Sequence, residues 1–288
     1  MKRNFISRNQ KGIDELHISP KELIQKFPTK KWLIVGAGPS LDKQWQEIKA
    51  YEKDNWNIAV CDMAFWPTIN HNIQPDLIFS CENKPYPFFN TTIKDCNKVK
   101  SLNRRKPSKE TYVVAWAGIH PYQLNQLNTL RKLSAQLSQK PSTCFFLWEQ
   151  DKVTNNDRIH NENLKNQKSK HNRKTYTDLP VLPGSGNVTN LMLVFLSGIS
   201  NAKIKIIGND YSFDYKNYYT RGSANAENLR IKHNRFYNNE TYYYTILKKT
   251  TLLNDGKYTH DVFIEYKKRE KIYIDLIRKN TNVHINEE

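Results

Sequence analysis

Short runs of consecutive apolar residues recur along the chain, and longer polar segments separate them. Runs of this length, without a polar face, are typical of strands in a parallel sheet that is covered on both sides. The pattern predicts strands at 31–35, 56–61, 77–80, 112–116 and 144–148. Alternating apolar residues predict another strand at 203–207, and a short final strand is predicted at 282–286.

Segments with helical spacing alternate with these strands. Between residues 188 and 197, apolar residues recur three and four positions apart, which predicts a helix with one face toward the core. Further helices are predicted at 41–51 and 261–278. The alternation predicts an α/β, Rossmann-like fold, in which a mostly parallel sheet with helices on both faces forms a single main domain.

The polar segments suggest how the chain is divided. Residues 1–30 precede the first strand and are predicted to be an N-terminal extension with a short helix that begins at Pro20. Residues 31–288 form the predicted main domain. Within it, residues 151–178 are rich in Asn, Lys, Arg and His and almost free of apolar residues, which predicts a mobile basic loop. This loop is either a spacer or a lid over an anionic ligand.

Composition narrows the class of protein but does not identify its binding partner. The 288 residues carry a formal net charge of +17, which attracts anions such as nucleotides, sugar phosphates or nucleic acid. A Lys- and Asn-rich composition also occurs without such a partner. The four cysteines are far apart in sequence, which argues against a zinc site or a disulfide framework. No apolar run is long enough to span a bilayer and residues 1–12 lack a signal-peptide pattern, so we expect a cytoplasmic chain.

Two glycine-containing turns are each followed by a predicted helix. Gly36, Gly38, Pro39 and Ser40 follow the first strand, where glycine lets the backbone approach a phosphate near a helix N-terminus. This turn lacks the third glycine of the dinucleotide fingerprint and the Gly-Lys of a P-loop. The second turn contains Ser185, Gly186 and Asn187. Each turn either binds a nucleotide or only connects and caps the helix.

Polar side chains also follow several predicted strands: Asp62, Glu82, Asn83 and Asp210. Carboxyl ends of parallel strands meet at one edge of the sheet, where ligands bind in open α/β folds. These side chains can bind a ribose, a base or Mg²⁺, or they can cap helices and form turns.

Two further candidates lie in the C-terminal part. Tyr218 belongs to a tyrosine-rich region with Arg221, and phenol and guanidinium groups can stabilise a departing phosphate, although such tyrosines are often only structural. His260 directly precedes the last predicted helix and is either a general base or a structural imidazole. The charges within 266–271 are predicted to form a solvated helix face.

Four segments together resemble a known family of domains. VGAGPSLDK (35–43), PDLIFSCEN (75–83), GSGNVTNLMLVFLSGIS (184–200) and IIGNDYSF (206–213) are similar to the domain shared by archaeal-type 6-hydroxymethylpterin diphosphokinases and motility-associated-factor flagellin glycosyltransferases. That domain is similar in fold to bacterial lipooligosaccharide sialyltransferases, which use CMP-sialic acid. The resemblance covers roughly residues 30–286.

The resemblance implies roles for individual residues. His260 falls where the sialyltransferases have their catalytic base, and Tyr218 falls at one of their phosphate-binding tyrosines. Ala37 and Ser212 stand where those enzymes have Asn and Tyr. The implied nucleotide-binding residues are Gly36, Gly38, Pro39, Ser40, Asp62, Asn83, Ser185, Gly186, Asn187 and Asp210.

Three functions remain open at this point. The favoured one, implied by the resemblance, is a nucleotide-dependent transferase: an inverting glycosyltransferase with a CMP-linked acidic sugar as donor, a glycan or protein as acceptor, and no obligatory metal. The second is a Mg²⁺-dependent ATP diphosphokinase of the 6-hydroxymethylpterin type, with Asp62 and Glu82 as metal ligands. The third is a basic nucleic-acid-binding protein without catalysis.

Overall fold

A computed structural model describes residues 3–82, 111–126, 143–148, 179–184, 186–199, 201–214, 217–223 and 247–286. Helices and strands in these residues are numbered in chain order. The helices are α1 (Arg3–Leu16), α2 (Pro20–Ile24), α3 (Leu41–Lys53), α4 (Phe65–Asn70), α5 (Val188–Ser197) and α6 (Asp261–Asn280). The strands are β1 (Lys31–Val35), β2 (Asn57–Cys61), β3 (Leu77–Ser80), β4 (Tyr112–Trp116), β5 (Thr143–Trp148), β6 (Val181–Leu182), β7 (Lys203–Ile207), β8 (Thr251–Leu252), β9 (Tyr258–Thr259) and β10 (His284–Asn286).

Eight of these strands form one sheet in the order β10-β7-β1-β2-β3-β4-β5-β6, and every neighbouring pair is parallel. All positions of β2 and β3 are buried. Successive side chains of a strand point to opposite faces, so both faces of the sheet are covered. The predicted α/β, Rossmann-like fold with a single main domain is thereby confirmed.

The order of the strands places a switch point beside β1. From β1 the chain proceeds through β2 to β6 on one side, and it then returns to the other side of β1 as β7. At such a reversal the loops that leave the two central strands diverge, which opens a crevice at the carboxyl edge of the sheet. The glycine turn after β1 and the Gly208–Asp210 turn after β7 both lie at this edge.

The predicted elements agree with the structure to within a few residues. The strands at 31–35, 77–80, 112–116 and 203–207 and the helix at 188–197 have the predicted bounds. The second and fifth strands differ by one residue at their starts, α3 and α6 each extend two residues further, and the last strand is shorter.

Helix α1 was not predicted, because its sequence is mostly polar. Its apolar positions are few but have helical spacing, and Ile13 is buried in the same core as the strands. The side chain of Asn9 donates hydrogen bonds to the carbonyl oxygens of Ala117 (2.9 Å) and Ile119 (2.8 Å). Residues 1–30 therefore include segments that pack on the main domain, while their treatment as a separate extension stays a prediction.

Two other sequence predictions concern the basic loop and membrane-spanning segments. The basic loop at 151–178 lies outside the described residues. In the part of the chain that is described, no helix is both long enough and apolar enough to cross a membrane.

Candidate functional site

The turns after β1 and β7 are bonded directly to each other. The backbone N–H of Gly36 donates to the carbonyl of Ile207 (2.8 Å), and that of Gly38 donates to the carbonyl of Gly208 (2.8 Å). A Cβ atom at position 36 would collide with the Gly208 carbonyl oxygen. Glycine is thus required here because two backbones approach each other, and the approach forms the floor of the crevice.

Asp210 completes this floor. Its Oδ2 atom accepts a hydrogen bond from the backbone N–H of Ser40 (2.9 Å), at the start of α3. A Cβ atom on Gly38 would collide with the same carboxylate. The N-terminus of α3 therefore already faces a negative charge of the protein, which disfavours a ligand phosphate at that position. The turn is better suited to the neutral parts of a nucleotide, such as its ribose.

The segment that carries Tyr218 is hydrogen-bonded to the glycine turn after β1 and to the start of α3. Thr220 donates its backbone N–H to the carbonyl of Ala37 (3.0 Å) and its hydroxyl to Oδ1 of Asp42 (2.5 Å). Arg221 donates its backbone N–H to the same oxygen (2.9 Å), and its Nε atom lies 3.3 Å from Oδ2 of Asp42. Arg221, a candidate phosphate ligand in the sequence, thus makes an ion pair within the protein.

Tyr218 and His260 lie side by side. Their ring centroids are 5.6 Å apart, and Phe213 packs against both, at 4.4 Å from Tyr218 and 5.4 Å from His260. Nδ1 of His260 lies 3.1 Å from the carbonyl oxygen of Lys249. Since a carbonyl only accepts, Nδ1 carries the hydrogen, and in the neutral imidazole Nε2 is left with the lone pair that a general base needs.

Asp62 lies in the interior at the end of β2. Its Oδ2 atom accepts from the hydroxyl of Ser80 and its Oδ1 atom from the backbone N–H of Met63, both at 2.9 Å. Burial raises the pKa of this carboxyl to about 7, and the nearby charge of Glu82 contributes in the same direction. Burial likewise raises the pKa of Cys61 to about 12.

These contacts bear on the predicted metal site. Both oxygens of Asp62 are bound to protein donors, and Glu82 is half-buried at the end of the neighbouring strand. Within the described residues, no group of three or more His, Cys, Asp or Glu side chains is placed to hold a metal ion. The metal-binding role of Asp62 and Glu82 stays a prediction.

The second glycine turn is held between α5 and α6. Asn187 caps α5, because its side-chain oxygen accepts from the backbone N–H of Asn190 (2.8 Å). Gly186 has a φ of +87°, and a Cβ atom there would lie 2.6 Å from Cδ1 of Tyr266. The guanidinium of Arg269 donates to the carbonyl of Gly184 (3.1 Å). Residues of α6 therefore line this turn.

A polar cluster joins the turn after β7 to both helices. The Tyr211 hydroxyl lies 2.6 Å from Oε2 of Glu270 and 2.9 Å from Oδ1 of Asn190, and it accepts from the side-chain amide of Asn209 (2.8 Å). The same amide also contacts Glu270. Burial, with the charge of Glu270, raises the pKa of Tyr211 far above its usual value. The phenol is therefore hydrogen-bonded inside the protein. In this arrangement Tyr211 does not take the place of the tyrosine that the sialyltransferases have at the position of Ser212.

The predicted site residues thus fall into several groups. The first turn is joined to Asp210, Tyr218 is paired with His260, and Asp62 lies beside Glu82. Gly186 and Asn187 begin α5, whereas Asn83 and Ser185 lie outside the described residues. The roles assigned to all of them stay predictions.

Sequence analysis missed the contribution of α6. The run at 266–271 was predicted to be a solvated face, and Lys267, Lys268 and Lys271 are indeed exposed. The prediction was wrong for Glu270, which is partly buried and contacts Tyr211. Arg269 is partly exposed but donates to the carbonyl of Gly184, and the uncharged Tyr266 packs against Gly186. A signal was present, because Phe263, Tyr266 and Arg269 follow His260 at successive intervals of three residues.

A parallel sheet with a glycine turn at its switch point places the protein among the Rossmann-like α/β proteins. The model of the family described as "6-hydroxymethylpterin diphosphokinase MptE-like" matches residues 4–216. The chain belongs to this family, which confirms the family suggested by the sequence. The matched residues include both turns, Asp62 and Asp210, but they end before Tyr218 and α6.

Individual proteins show only weak similarity to the chain. No curated protein sequence matches the chain. Among solved structures, the chain is similar to the MAf glycosyltransferase from Magnetospirillum magneticum AMB-1, with 14% sequence identity and a TM-score of 0.46. The match covers 89% of this chain and 33% of that one, so the chain spans about a third of the length of that structure.

Proposed function

We propose that the protein is a nucleotide-dependent transferase, and specifically an inverting glycosyltransferase whose donor is a CMP-linked acidic sugar. The observation that carries the proposal is the pair of His260 and Tyr218 near the carboxyl edge of the sheet. The imidazole is held by Lys249 in the tautomer that leaves Nε2 free of hydrogen, and a phenol lies against it.

The chemistry assigned to this pair is a single displacement. Nε2 of His260 takes the proton of an acceptor hydroxyl, and the hydroxyl oxygen attacks the anomeric carbon of the donor. The bond from that carbon to the phosphate oxygen breaks as the new bond forms, so the configuration is inverted and CMP leaves with the electron pair. Tyr218 donates a hydrogen bond to the departing phosphate.

Two further features bear on the charge of the donor and on its orientation. The net charge of +17 attracts anions to the protein as a whole. The carboxylate of Asp210 at the start of α3 disfavours a phosphate there, so the phosphate is expected near Tyr218 and the ribose near the glycine turn. In a nucleotide-linked sugar the phosphate likewise lies between the sugar and the ribose, so this placement agrees with the structure of such a donor.

A second candidate function is Mg²⁺-dependent transfer of diphosphate from ATP to a hydroxymethyl compound. The description of the matched family favours it. It would use Asp62 and Glu82 to hold the metal, and Asp62, whose pKa burial raises to about 7, would have to lose its proton before it could bind the cation. This requirement makes it the less favoured candidate.

Ligand binding separates the two candidates. We expect CMP and CDP to raise the unfolding temperature equally with Mg²⁺ or EDTA, since a ligand at about 100 times its Kd adds roughly 2.7 kcal/mol to the free energy of unfolding. Stabilisation by ATP only with Mg²⁺ would favour diphosphate transfer. Stabilisation by a single-stranded oligonucleotide alone would favour nucleic-acid binding.

Activity tests the role of His260. His260→Gln is expected to lower the rate of CMP release from a CMP-linked acidic sugar by about 10²–10⁴-fold, because the general base is lost. The Kd for CMP should stay within about three-fold, since the base contacts the acceptor. His284→Gln, an exposed histidine on β10, is the matched control. Full activity of His260→Gln would contradict the proposal.

A further inference from the structure

A row of four side chains at intervals of three residues begins directly before helix α6 and continues along it: His260, Phe263, Tyr266 and Arg269. Residues three apart are neighbours on a helix surface. The ring centroids of His260 and Phe263 are 5.5 Å apart, and those of Phe263 and Tyr266 are 6.5 Å apart. The row begins at the proposed base and ends at the glycine turn that precedes α5.

Tyr266 is built closely into that end of the row. Its Cδ1 and Cε1 atoms lie 2.6 and 2.7 Å from the position that a Cβ atom on Gly186 would take. Its backbone carbonyl accepts a hydrogen bond from the side-chain amide of Asn190 (3.0 Å). The ring is half-buried, and its hydroxyl is near enough to Cys81 for the two groups to interact electrostatically. The phenol therefore reaches from α6 toward the end of β3, at the carboxyl edge of the sheet.

Arg269 lies next to this ring and is held in place by two contacts. One guanidinium nitrogen donates to the carbonyl of Gly184 (3.1 Å), and Nε donates to Oε1 of Glu265 (3.2 Å). A guanidinium has five N–H donors in a fixed plane, so further donors remain for a ligand. The side chain is 43% exposed.

We propose that Tyr266 and Arg269 form the nucleobase subsite of this site, in which the Tyr266 ring stacks on a cytosine base and Arg269 donates hydrogen bonds to its edge. The proposal rests on the proposed function, since His260 and Tyr218 define the reacting end of the donor. Stacking on an aromatic side chain accepts any base, whereas a donor-only guanidinium selects the edge of the base. Cytosine offers the acceptors O2 and N3, while N3 of uracil is a donor, so cytosine is favoured over uracil.

The spacing along α6 assigns the base rather than the phosphate to this subsite. At 1.5 Å per residue, Tyr266 and Arg269 lie about 9 Å and about 14 Å from His260 along the helix axis, and the row also winds around the helix because three residues are less than the 3.6 of a full turn. In a nucleotide-linked sugar the phosphate is attached to the reacting carbon, and the base is at the opposite end beyond the ribose. The phosphate thus belongs with Tyr218, and the far end of the row is left for the base.

Calorimetric titration of the full chain with CMP, UMP and ribose 5-phosphate tests the subsite. Tyr266→Leu should weaken CMP binding at least ten-fold and leave ribose 5-phosphate binding within two-fold, while Tyr266→Phe should bind CMP almost as tightly as the wild type because it keeps the ring. Arg269→Met should lower the preference for CMP over UMP at least five-fold. Tyr273→Leu and Lys268→Met, on the same helix, are the matched controls and should change neither quantity.

The outcomes separate this inference from the function on which it rests. If the wild type binds CMP and the Tyr266 and Arg269 variants bind it with unchanged affinity and selectivity, the subsite is wrong and the proposed function stands. If Tyr266→Leu and Tyr266→Phe both lose affinity for all three ligands, Tyr266 is only structural and the subsite is again wrong. If the wild type binds no nucleotide, both the subsite and the proposed function fail.

Discussion

The carboxyl group of Asp62 illustrates how burial changes a single residue. In an unfolded chain an aspartate has a pKa near 3.9, whereas burial at the end of β2 raises the pKa of Asp62 to about 7. Between these two pH values the folded protein binds a proton that the unfolded chain does not. The stability contributed by Asp62 is therefore present at low pH and decreases as the pH rises toward 7.

Asp62→Asn tests this pH dependence. We expect the free energy of unfolding of the wild type to fall between pH 4.5 and pH 7.5, relative to the variant, by up to about 3 kcal/mol. The amide that this substitution introduces imitates the protonated carboxyl, so its contribution should not depend on pH. Urea unfolding across this range measures the difference, and the exposed Asp275→Asn is the control. Parallel pH profiles of wild type and Asp62→Asn would contradict the raised pKa.

At the same scale, the sequence predicted where Asp62 lies but not what it contacts. Its position after an apolar run predicted the carboxyl end of a strand. Its partner Ser80 follows from the register of β2 against β3, in which Cys61 pairs with Phe79. Register depends on packing between distant segments, so one strand by itself does not reveal it.

At the scale of elements, the Tyr211 cluster connects three parts of the fold. The turn after β7 supplies Tyr211 and Asn209, α5 supplies Asn190, and α6 supplies Glu270. Since α6 begins directly after His260, this cluster helps to set the position of the proposed base. Tyr211 has a φ of +51°, a backbone conformation that few non-glycine residues adopt.

Removal of one hydroxyl should loosen this connection. Tyr211→Phe is expected to lower the free energy of unfolding by about 1–3 kcal/mol, because Glu270 and Asn209 lose a partner in a partly buried setting. Combined with Glu270→Gln, the two changes should cost less than the sum of the single changes, since both affect the same contacts. Urea unfolding measures each value, with Tyr273→Phe as control. Strict additivity would show that the contacts contribute separately.

At the scale of the whole molecule, the first thirty residues are part of the packing. Ile13 of α1 and Leu23 of α2 belong to the core cluster that contains the sheet, and Asn9 satisfies the carbonyl oxygens of Ala117 and Ile119. A detachable extension would leave these positions exposed to solvent. The packing instead makes α1 part of the support for β5 and the residues after β4.

Deletion of residues 1–16 tests this description. The shortened chain should have a lower free energy of unfolding, because apolar surface becomes exposed and two buried carbonyl oxygens lose their donors. Ile13→Ala, with an expected loss of about 2–4 kcal/mol, should reproduce part of the effect. The exposed Lys11→Ala should have no effect. Unchanged stability after deletion would identify the segment as a separate extension.

The sequence predicted the strands better than their arrangement. Each strand of a doubly covered parallel sheet is apolar along its length, so its own composition reveals it. Where β7 joins β1, and how Asp210 thereby reaches Ser40, depends on long-range packing. The site was likewise predicted only in part. The glycine turns were recognised from their local sequence pattern, whereas Tyr266 and Glu270 lie in a charged run whose composition did not indicate their contacts.

The position of β1 between β2 and β7 has a consequence for the order in which the protein forms. The hydrogen bond from Ser40 to Asp210 joins residues 170 positions apart. Until β7 has been synthesised, β1 is an edge strand with unpaired backbone groups, and such edges can associate with other chains. Closing so long a loop is entropically costly and slows folding. The crevice that would hold a ligand is therefore among the last parts of the molecule to be completed, and a chain that stops before β7 lacks one of its two sides.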